Sequence, residues 1–292
     1  MHKLKYLTTS IILVMILSLT AAFNVYARPL AATSPTLGAA ASYSVLAGSI
    51  VTNTGSSSIG GDVGASPSIG VPPHVTGFPP GIVGPPGTIH DADVHAADAQ
   101  AANTAAFTTL DQGCTTSYAG VQDLTQVSPL GPGVYCADAF ILTGNLTLSG
   151  SGVWIFKSAS TLTTSQGSSV TGGDPCNVWW RLVSSASIIG AGSTMIGNVL
   201  ALTDINLQTG ATVNGRLLTQ TGQVTLDSNI ISGPVCVVAG PTTTARPRVT
   251  GLPNTGGAPI RNEEFPLGLA IIGGFSVIAL FLGVRSYLRT NK

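Results

Sequence analysis

The sequence has very few charged side chains. Its 292 residues include 12 Lys and Arg and 12 Asp and Glu, so charged residues make up 8% of the chain, against about a quarter in an ordinary soluble domain. Between Ser34 and Gly240 the ten anions are all Asp, and glutamate is absent. A nucleic-acid partner requires clustered Lys and Arg. This part of the chain has only three cations, Lys157, Arg181 and Arg216, so we expect no nucleic-acid partner.

Side chains with hydroxyl groups are far more numerous than charged side chains. Ser and Thr number 62, and Gly and Pro together number 54. Hydrophobic residues still make up 44% of the chain, which is enough apolar surface to bury a core and argues against disorder. This composition is typical of an extracellular protein that is rich in β-structure or repetitive.

The N-terminal end predicts export. Residues 1–27 place Lys3 and Lys5 before an apolar run and put small residues at the end of the segment, as in a secretory signal peptide. An uncleaved N-terminal anchor is the alternative, although the apolar run is shorter than the roughly 20 residues that span a bilayer. Both interpretations place the middle of the chain outside the cell.

The C-terminal end has three parts in a fixed order. Residues 240–257 predict an extended Thr- and Pro-rich stalk, residues 265–284 form an apolar segment about long enough to span a bilayer, and residues 285–292 form a basic cytoplasmic tail. The stalk contains the pentapeptide Leu252, Pro253, Asn254, Thr255 and Gly256. Together these parts resemble the cell-wall sorting signal of Gram-positive-type surface proteins, in which a sortase cysteine attacks the carbonyl of the motif's threonine.

This resemblance implies attachment at Thr255 to a cell-wall or envelope polymer by a sortase, with the C-terminal helix in the membrane. A plain single-pass helix after a chance pentapeptide is the alternative. In both cases we expect the protein at the cell surface, anchored to the cell wall or the membrane.

The middle segment, residues 35–239, repeats a short pattern. A hydroxyl residue, an apolar residue, any residue and a glycine recur in that order, starting at Ser58, Ser169, Thr194 and Thr212. Spacings of 18 and 25 residues predict a solenoid, in which each coil buries its inward side chains against the next coil. Each repeat contains three short strand patterns, which indicates a triangular cross-section.

Alternation along the strands assigns the side chains to the two sides of the sheet. Val170, Met195 and Val213 are predicted to point inward, so that one flat outer face carries hydroxyl groups. The outward positions are Ser169, Thr194 and Thr212, with Thr171, Ile196 and Asn214 beside them, and Gly167, Gly192 and Gly210 two residues before the hydroxyl column.

An Ala-rich segment, residues 89–111, predicts one helix of five to six turns. Asp91 and Asp93 are expected in its first turn. Its apolar side is predicted from Val94, Ala97, Ala101 and Leu110. We expect this helix to lie along one face of the solenoid or to cover one end.

Neither a metal site nor an active site emerges from the remaining patterns. Asp91, His95 and Asp98 are spaced so that one helical face could offer three metal ligands, but acidic residues in a first turn are usually partners of the helix dipole. No GxSxG elbow frames a nucleophile, and scattered Asp residues do not form a catalytic pair. We therefore expect no metal, no cofactor and no enzymatic activity.

Four cysteines in an exported segment predict disulfides. Three pairings are possible. We favour one bond that ties the end of the helix to the following strand and one that ties a loop in the middle of the solenoid to the end of the domain; zinc binding is disfavoured by the long spacings. These bonds would join Cys114 to Cys136 and Cys176 to Cys236.

Several blocks between Leu37 and Ile231 together resemble the microbial ice-binding protein family. They are LGAAASYSVLAGSIVTNTGSSSIGGDVGASP, the Ala-rich segment, LGPGVYCADAFILTGNLTLSGSGVWIF and GSTMIGNVLALTDINLQTGATVNGRLLTQTGQVTL. The resemblance implies a mainly β fold, namely a discontinuous right-handed three-faced β-helix with one long α-helix alongside. It also implies that the coil of Ser58 joins the later coils.

Members of that family bind ice through one flat face, in some cases with a motif of Thr, Ala or Gly, any residue, and Thr or Asn. Residues 209–212 match this motif in full, residues 191–194 match it in part, and residues 166–169 match it less well. In the next coil, Ser228 to Ile231, the final hydroxyl is replaced by Ile231. The candidate ice-binding residues are Ser58, Ser169, Thr171, Thr194, Thr209, Thr212 and Asn214.

The sequence therefore predicts a monomeric, surface-anchored ice-binding protein whose partner is the surface of an ice crystal. The alternative is a surface adhesin or structural β-helix that binds a polysaccharide or a protein. Exposed aromatic side chains would favour sugar binding. Because Trp179 and Trp180 are adjacent in a strand, they are expected to point in opposite directions, one inward and one outward or under the helix.

Overall fold

A computed structural model describes residues 31–67, 70–184, 187–233 and 236 of the protein. The predicted signal peptide, the LPNTG pentapeptide and the apolar segment at 265–284 lie outside these residues. Within the described ranges, no helix is both long enough and apolar enough to cross a bilayer.

The described residues form a mainly β fold in which all strand pairs are parallel. One α-helix is present within them, α1 at Val94–Thr109, together with short 3₁₀ turns at Gly38–Ser42, Leu124–Val127 and Pro175–Asn177. The strands are β1 (Tyr43–Ala47), β2 (Val51–Thr54), β3 (Ser58–Ile59), β4 (Asp62–Ala65), β5 (Val75–Thr76), β6 (Ile82–Val83), β7 (Ile89–Asp91), β8 (Thr116–Ser117), β9 (Val121–Asp123), β10 (Gly133–Ala137), β11 (Ala139–Leu142), β12 (Asn145–Leu148), β13 (Trp154–Ser158), β14 (Leu162–Thr164), β15 (Ser169–Gly172), β16 (Val178–Leu182), β17 (Ser187–Ile189), β18 (Thr194–Ala201), β19 (Ile205–Leu207), β20 (Thr212–Thr219), β21 (Val224–Asp227) and β22 (Ile230–Ser232).

Successive strands contribute in rotation to three ladders, as a coiled chain requires. The helix-side ladder runs β8-β10-β13-β16-β18-β20-β1-β4-β7. The second ladder runs β9-β11-β14-β17-β19-β21-β2-β5, and the third runs β12-β15-β18-β20-β22-β3-β6. The strands β18 and β20 are long enough to turn a corner, so each belongs to the third ladder in its first half and to the helix-side ladder in its second half.

The stacking order of the coils differs from their order in the chain. Strands β1, β2 and β3 pair with β20, β21 and β22 of the last coil, and the register places Ser58 beside Ile230. The coil formed by β4, β5 and β6 then continues the stack. The expected junction between the coil of Ser58 and the later coils is therefore confirmed.

The inward residues of the three ladders form one continuous apolar core. Val170, Met195 and Val213 are buried in it, as the alternation predicts. A column of large side chains runs through its middle, and the Trp180 ring stacks on the Phe156 ring with centroids 4.2 Å apart. Each coil therefore buries its apolar side chains mainly against the coils above and below it.

Helix α1 packs on the outer side of the helix-side ladder. A second apolar cluster joins Ala99, Ala106 and Leu110 of the helix to outward strand residues such as Trp179 and Leu200. Trp179 is thus buried beneath this part of the fold, and its indole Nε1 donates to Ser34 Oγ at 3.0 Å. Trp179 and Trp180 point in opposite directions, as predicted, and both are buried.

The predicted start of the helix is wrong, and so are three of the four residues predicted for its apolar side; the fourth, Leu110, is buried as predicted. The helix begins at Val94 rather than Ile89, because Ile89–Asp91 forms β7 and pairs with β4. Asp93 is the N-cap, and its carboxylate accepts from the Ala96 N–H at 2.8 Å. The buried positions are Ala96, Ala99, Asn103, Ala106 and Leu110, whereas Val94, Ala97 and Ala101 are exposed. With alanine on every side of the helix, the apolar period did not identify the packed side.

Two disulfides close the fold at the favoured pairs. Cys114 bonds to Cys136, 22 residues away, and Cys176 bonds to Cys236, 60 residues away. The described residues contain no free cysteine.

Candidate functional site

Two faces of the solenoid lie on the sides away from α1. The outer side of the third ladder is the hydroxyl face predicted from the sequence. Its main column, read along the stack, is Asn145, Ser169, Thr194, Thr212, Ile230, Ser58 and Ile82, and its second column is Thr147, Thr171, Ile196, Asn214 and Ser232. Thus Ser58, Ser169, Thr171, Thr194, Thr212 and Asn214 share one face.

The predicted register of the last coil was shifted by one residue. Ile230, not Ile231, pairs with Thr212. The side chain of Ile231 is 1% exposed and belongs to the core, whereas Ile230 is 57% exposed in the hydroxyl column. Ile230 therefore interrupts the polar side chains of the column between Thr212 and Ser58, and Ile82 is the last residue of the column.

The outer side of the second ladder, here called the threonine face, is a candidate site that the sequence analysis missed. Its eight strands form one uninterrupted parallel sheet. The register aligns Asp123, Ile141, Thr163, Ile188, Asn206, Thr225, Thr52 and Thr76 in one row, which therefore begins at an aspartate. Along the strands, Thr52 and Thr225 alternate with buried residues such as Val51 and Val224, so a strict search for period-two alternation would have found them.

The corner between these two faces explains the four-residue motif. Its second position is Gly167, Gly192 or Gly210, each with φ between 64° and 75°, and a Cβ there would meet no atom within 4 Å. The backbone therefore needs glycine for its left-handed conformation, not for lack of space. The third position points inward: Ser168, Ser193 and Ala211 are buried, and the first two donate their hydroxyls to carbonyls three residues earlier.

Thr209, the first residue of the complete motif, lies at this corner and not in either column. Its hydroxyl donates to the Asp227 carboxylate of the neighbouring coil. On the hydroxyl face, Ser169 Oγ donates to Asn145 Oδ1 at 2.9 Å. Bonds between coils therefore fix the orientation of both hydroxyl groups.

The cations of the described residues all lie on the helix side. Lys157 Nζ bridges the Asp111 carboxylate at 2.6 Å and the Gln112 carbonyl at 2.7 Å. Arg181 Nε donates to the Phe107 carbonyl at 3.0 Å. Both cations thus contact the C-terminal end of α1, where the helix dipole favours positive charge, and the hydrogen bond from Lys157 and the charge of Arg181 lower the pKa of Asp111.

Arg216 is the third cation and is almost fully buried. Its guanidinium donates to the Ala41 carbonyl at 2.8 Å and to Asn198 Oδ1 at 2.9 Å, and burial lowers its pKa to about 10. It remains charged at neutral pH and joins the N-terminal segment to the helix-side ladder. The two candidate faces are consequently left without a cation among the described residues.

The three metal ligands considered from the sequence do not come together. Asp91 lies in β7, where its carboxylate holds both the backbone N–H and the ring Nδ1 of His74 at 2.9 and 2.8 Å. His95 contacts Tyr43, and Asp98 is exposed on α1.

Comparison with known proteins identifies the family. A family model described as ice-binding-like matches residues 45–232, which is more than half of the chain. The chain belongs to the ice-binding-like family.

Individual relatives agree with this family assignment. An ice-binding protein of Nostoc sp. (strain HG1) is 41% identical over 229 residues, covering 74% of this chain and 81% of that protein. An ice-binding protein of Flavobacterium frigoris (strain PS1) is 34% identical over 219 residues, covering 68% and 76%. The crystal structure of an ice-binding protein from the Antarctic ascomycete Antarctomyces psychrotrophicus matches with a TM-score of 0.61 at 36% identity, covering 69% of this chain and 99% of that one.

Membership in the ice-binding-like family confirms the resemblance on which the sequence analysis relied. The matched region includes both candidate faces and the corner between them. Which face the ligand contacts is a separate question that depends on the geometry of this chain.

Proposed function

We propose that this protein adsorbs to ice through an uncovered face of its solenoid and performs no catalytic step. The observation that carries the proposal is an uninterrupted parallel ladder with asparagine and threonine at four consecutive positions of one row. Adjacent strands are about 4.8 Å apart, so such a row presents methyl and hydroxyl groups at regular intervals. A regular, uncharged array can order water, whereas charged groups hold water in their own geometry.

We propose the threonine face as the main contact surface, because its row lies on one uninterrupted eight-stranded sheet. Four successive coils place Asn206, Thr225, Thr52 and Thr76 in one row. Asn206, Thr225 and Thr52 are half-buried by their neighbours, which restricts their rotamers and keeps the surface level.

The hydroxyl face is the second candidate, with Ser58, Ser169, Thr171, Thr194, Thr212 and Asn214. Its column is interrupted by the exposed side chain of Ile230. Its sheet also narrows where β15 meets β18, because only Ser169 and Thr194 are in register there. Thr209 lies on the edge that both faces share and could contribute to either.

The cellular setting is part of the proposal. A signal peptide at 1–27, the LPNTG pentapeptide at 252–256 and an apolar segment at 265–284 would export the protein and tether it to the cell wall or membrane, with a sortase as the processing partner. A tethered protein of this kind would hold the cell to ice or restrain crystals at the envelope. We further propose a monomer with right-handed coils, the hand that parallel crossover connections almost always take.

A polysaccharide-binding adhesin is the alternative. Sugar-binding surfaces commonly expose aromatic side chains. Here Trp154, Trp179 and Trp180 are all buried, which weakens this alternative.

The test measures inhibition of ice recrystallisation and crystal shape with the purified protein, Thr225→Tyr and Thr212→Tyr. Wild-type protein should shape crystals. Because tyrosine protrudes from a flat face, Thr225→Tyr should remove most of the activity, and Thr212→Tyr should retain most of it. Circular dichroism and the thermal midpoint verify that both variants are folded.

The opposite ranking of the two variants would move the contact surface to the hydroxyl face. Unshaped crystals from folded wild-type protein would exclude ice adsorption. Binding to envelope polysaccharide in its place would support the adhesin.

A further inference from the structure

A cluster of nitrogen and oxygen ligands lies where the N-terminal end of α1 meets the solenoid. Asp62 of β4, His90 of β7 and His95 of α1 each offer one ligand atom, and these three atoms lie within 4.8 Å of one another. His90 and His95 are five positions apart and Asp62 is 28 positions before His90; the three lie on three different elements, which the folded chain brings together.

We propose that Asp62, His90 and His95 bind one divalent transition-metal ion of the zinc class. Two imidazoles and a carboxylate are common zinc ligands, with water in the remaining position. The bound ion would connect β4 and β7 to the first turn of α1.

The surroundings of each ligand fit this role. His90 Nδ1 lies 2.8 Å from the Asp93 carboxylate, an arrangement that fixes the ring and leaves Nε2 as the ligand atom, as in carboxylate–histidine–metal sites. His95 Nδ1 lies 2.7 Å from the Tyr43 hydroxyl, which leaves its Nε2 as well.

Thr88 contacts two of the three ligand residues. Thr88 Oγ1 lies 2.9 Å from His90 Nε2 and 3.1 Å from Asp62 Oδ1. Its single proton can serve only one of these two atoms. Asp62 Oδ1 also accepts from the Thr88 N–H at 2.8 Å, so the hydroxyl can donate to His90 Nε2, and a bound cation would replace this hydrogen bond.

Access and charge also suit a cation. His95 is exposed and His90 is half-buried, so an ion can enter from solvent. The carboxylates of Asp62 and Asp93 offset the positive end of the helix dipole. The two imidazole rings are stacked, with centroids 4.1 Å apart, so one ring must turn for both to bind in plane. His95 is the more exposed of the two, and its ring can turn if the Tyr43 hydroxyl that contacts Nδ1 moves with it.

The thiol groups do not compete for the ion, since the cysteines of the described residues are in disulfides. The test is therefore a titration of the chelator-treated, purified protein with Zn²⁺ by isothermal calorimetry, with Co²⁺ absorption as a second readout. The variants are His95→Gln, which keeps a polar partner for Tyr43, and Asp98→Asn, an exposed acid one turn further along α1.

We expect one Zn²⁺ per chain, a Co²⁺ spectrum typical of nitrogen and oxygen ligands, and a thermal midpoint that rises with Zn²⁺ concentration. His95→Gln should weaken binding at least about tenfold, and Asp98→Asn should bind as the wild type does. Absence of binding to the wild type, or equal affinity of wild type and His95→Gln, would overturn the proposal. Loss of binding in Asp98→Asn would overturn the choice of ligands.

Discussion

At the corner between the two candidate faces, each coil passes through a residue with a left-handed backbone. Glycine occupies this position in the three preceding coils, and Gly55, with φ of 74°, lies beside it in the following coil, but Ser228 occupies it between them, with φ of 53°. A side chain in this region costs about 1–2 kcal/mol relative to glycine. Ser228 recovers part of this cost through a hydrogen bond of 3.2 Å to Asp227.

We therefore predict that Ser228→Gly raises the free energy of unfolding by about 0.5–1 kcal/mol, measured by urea denaturation. Ser193→Gly is the control one position along the motif. Its side chain is buried and donates to the Gly190 carbonyl, so this change should destabilise the protein. A less stable Ser228→Gly variant would show that the Asp227 contact outweighs the backbone strain.

Single residues also show how far the sequence could predict the site. Alternation correctly separated Val213 from Thr212 and Asn214, because one strand spans all three positions. It failed in the next coil, where Ser228 replaces the corner glycine and removes the marker of register, so that Ile231 was taken for Ile230. The threonine row was not predicted because its strands are short and do not contain the four-residue motif of residues 209–212.

At the scale of elements, the side of α1 that packs on the solenoid is mostly alanine. Ala99 is fully buried in the cluster with Trp179 and Leu200, whereas Ala97 on the opposite side is exposed. Both positions are alanines of the same helix, so the same substitution at each isolates the effect of packing.

We predict that Ala99→Leu lowers the free energy of unfolding by about 1–3 kcal/mol, because the added carbons have no space. Ala97→Leu should change it by less than about 0.5 kcal/mol. Chemical denaturation of both variants provides the comparison. Equal effects at the two positions would contradict the packed side of the helix that the structure shows.

The far end of α1 depends on the ionisation of Asp111. Lys157 and Arg181 lower its pKa in the folded protein, so its contribution to stability is present above the unfolded value of about 3.9 and is lost as the pH falls through the lower folded value. We predict that Asp111→Asn lowers the thermal midpoint at pH 7 and has a smaller effect below pH 3. A constant difference between variant and wild type from pH 7 to pH 2.5 would exclude this ionic contribution.

For the whole molecule, α1 provides the long connection that the stacking order of the coils requires. The helix-side ladder has nine strands, so its ends, β7 and β8, are about 38 Å apart at 4.8 Å per strand. The 16 residues of α1 span about 24 Å, and residues 110–115 cover the remaining distance before β8. The discontinuous order of coils thus requires a long connection beside the stack, and an Ala-rich helix provides one that packs closely.

The repeats in the sequence predicted coils but not their order. Period and alternation describe contacts between neighbours, and the contact of β1 with β20 joins residues that are more than 160 positions apart. Such a pairing depends on the apolar surface that the last coil leaves exposed, which no local pattern encodes. The resemblance to a family supplied this step.

The two disulfides constrain chain segments of different length, which leads to a prediction about the whole fold. In the chain-entropy description, closing 22 residues stabilises by about 3 kcal/mol and closing 60 residues by about 4 kcal/mol. We expect Cys176→Ser with Cys236→Ser to lower the free energy of unfolding more than Cys114→Ser with Cys136→Ser.

The longer bond also fixes the chain that follows β22, the strand on which the N-terminal coils stack. Hydrogen exchange should therefore become faster in β1–β3 for the first double variant and not for the second; equal exchange in both would mean that stacking alone holds the N-terminal coils in place.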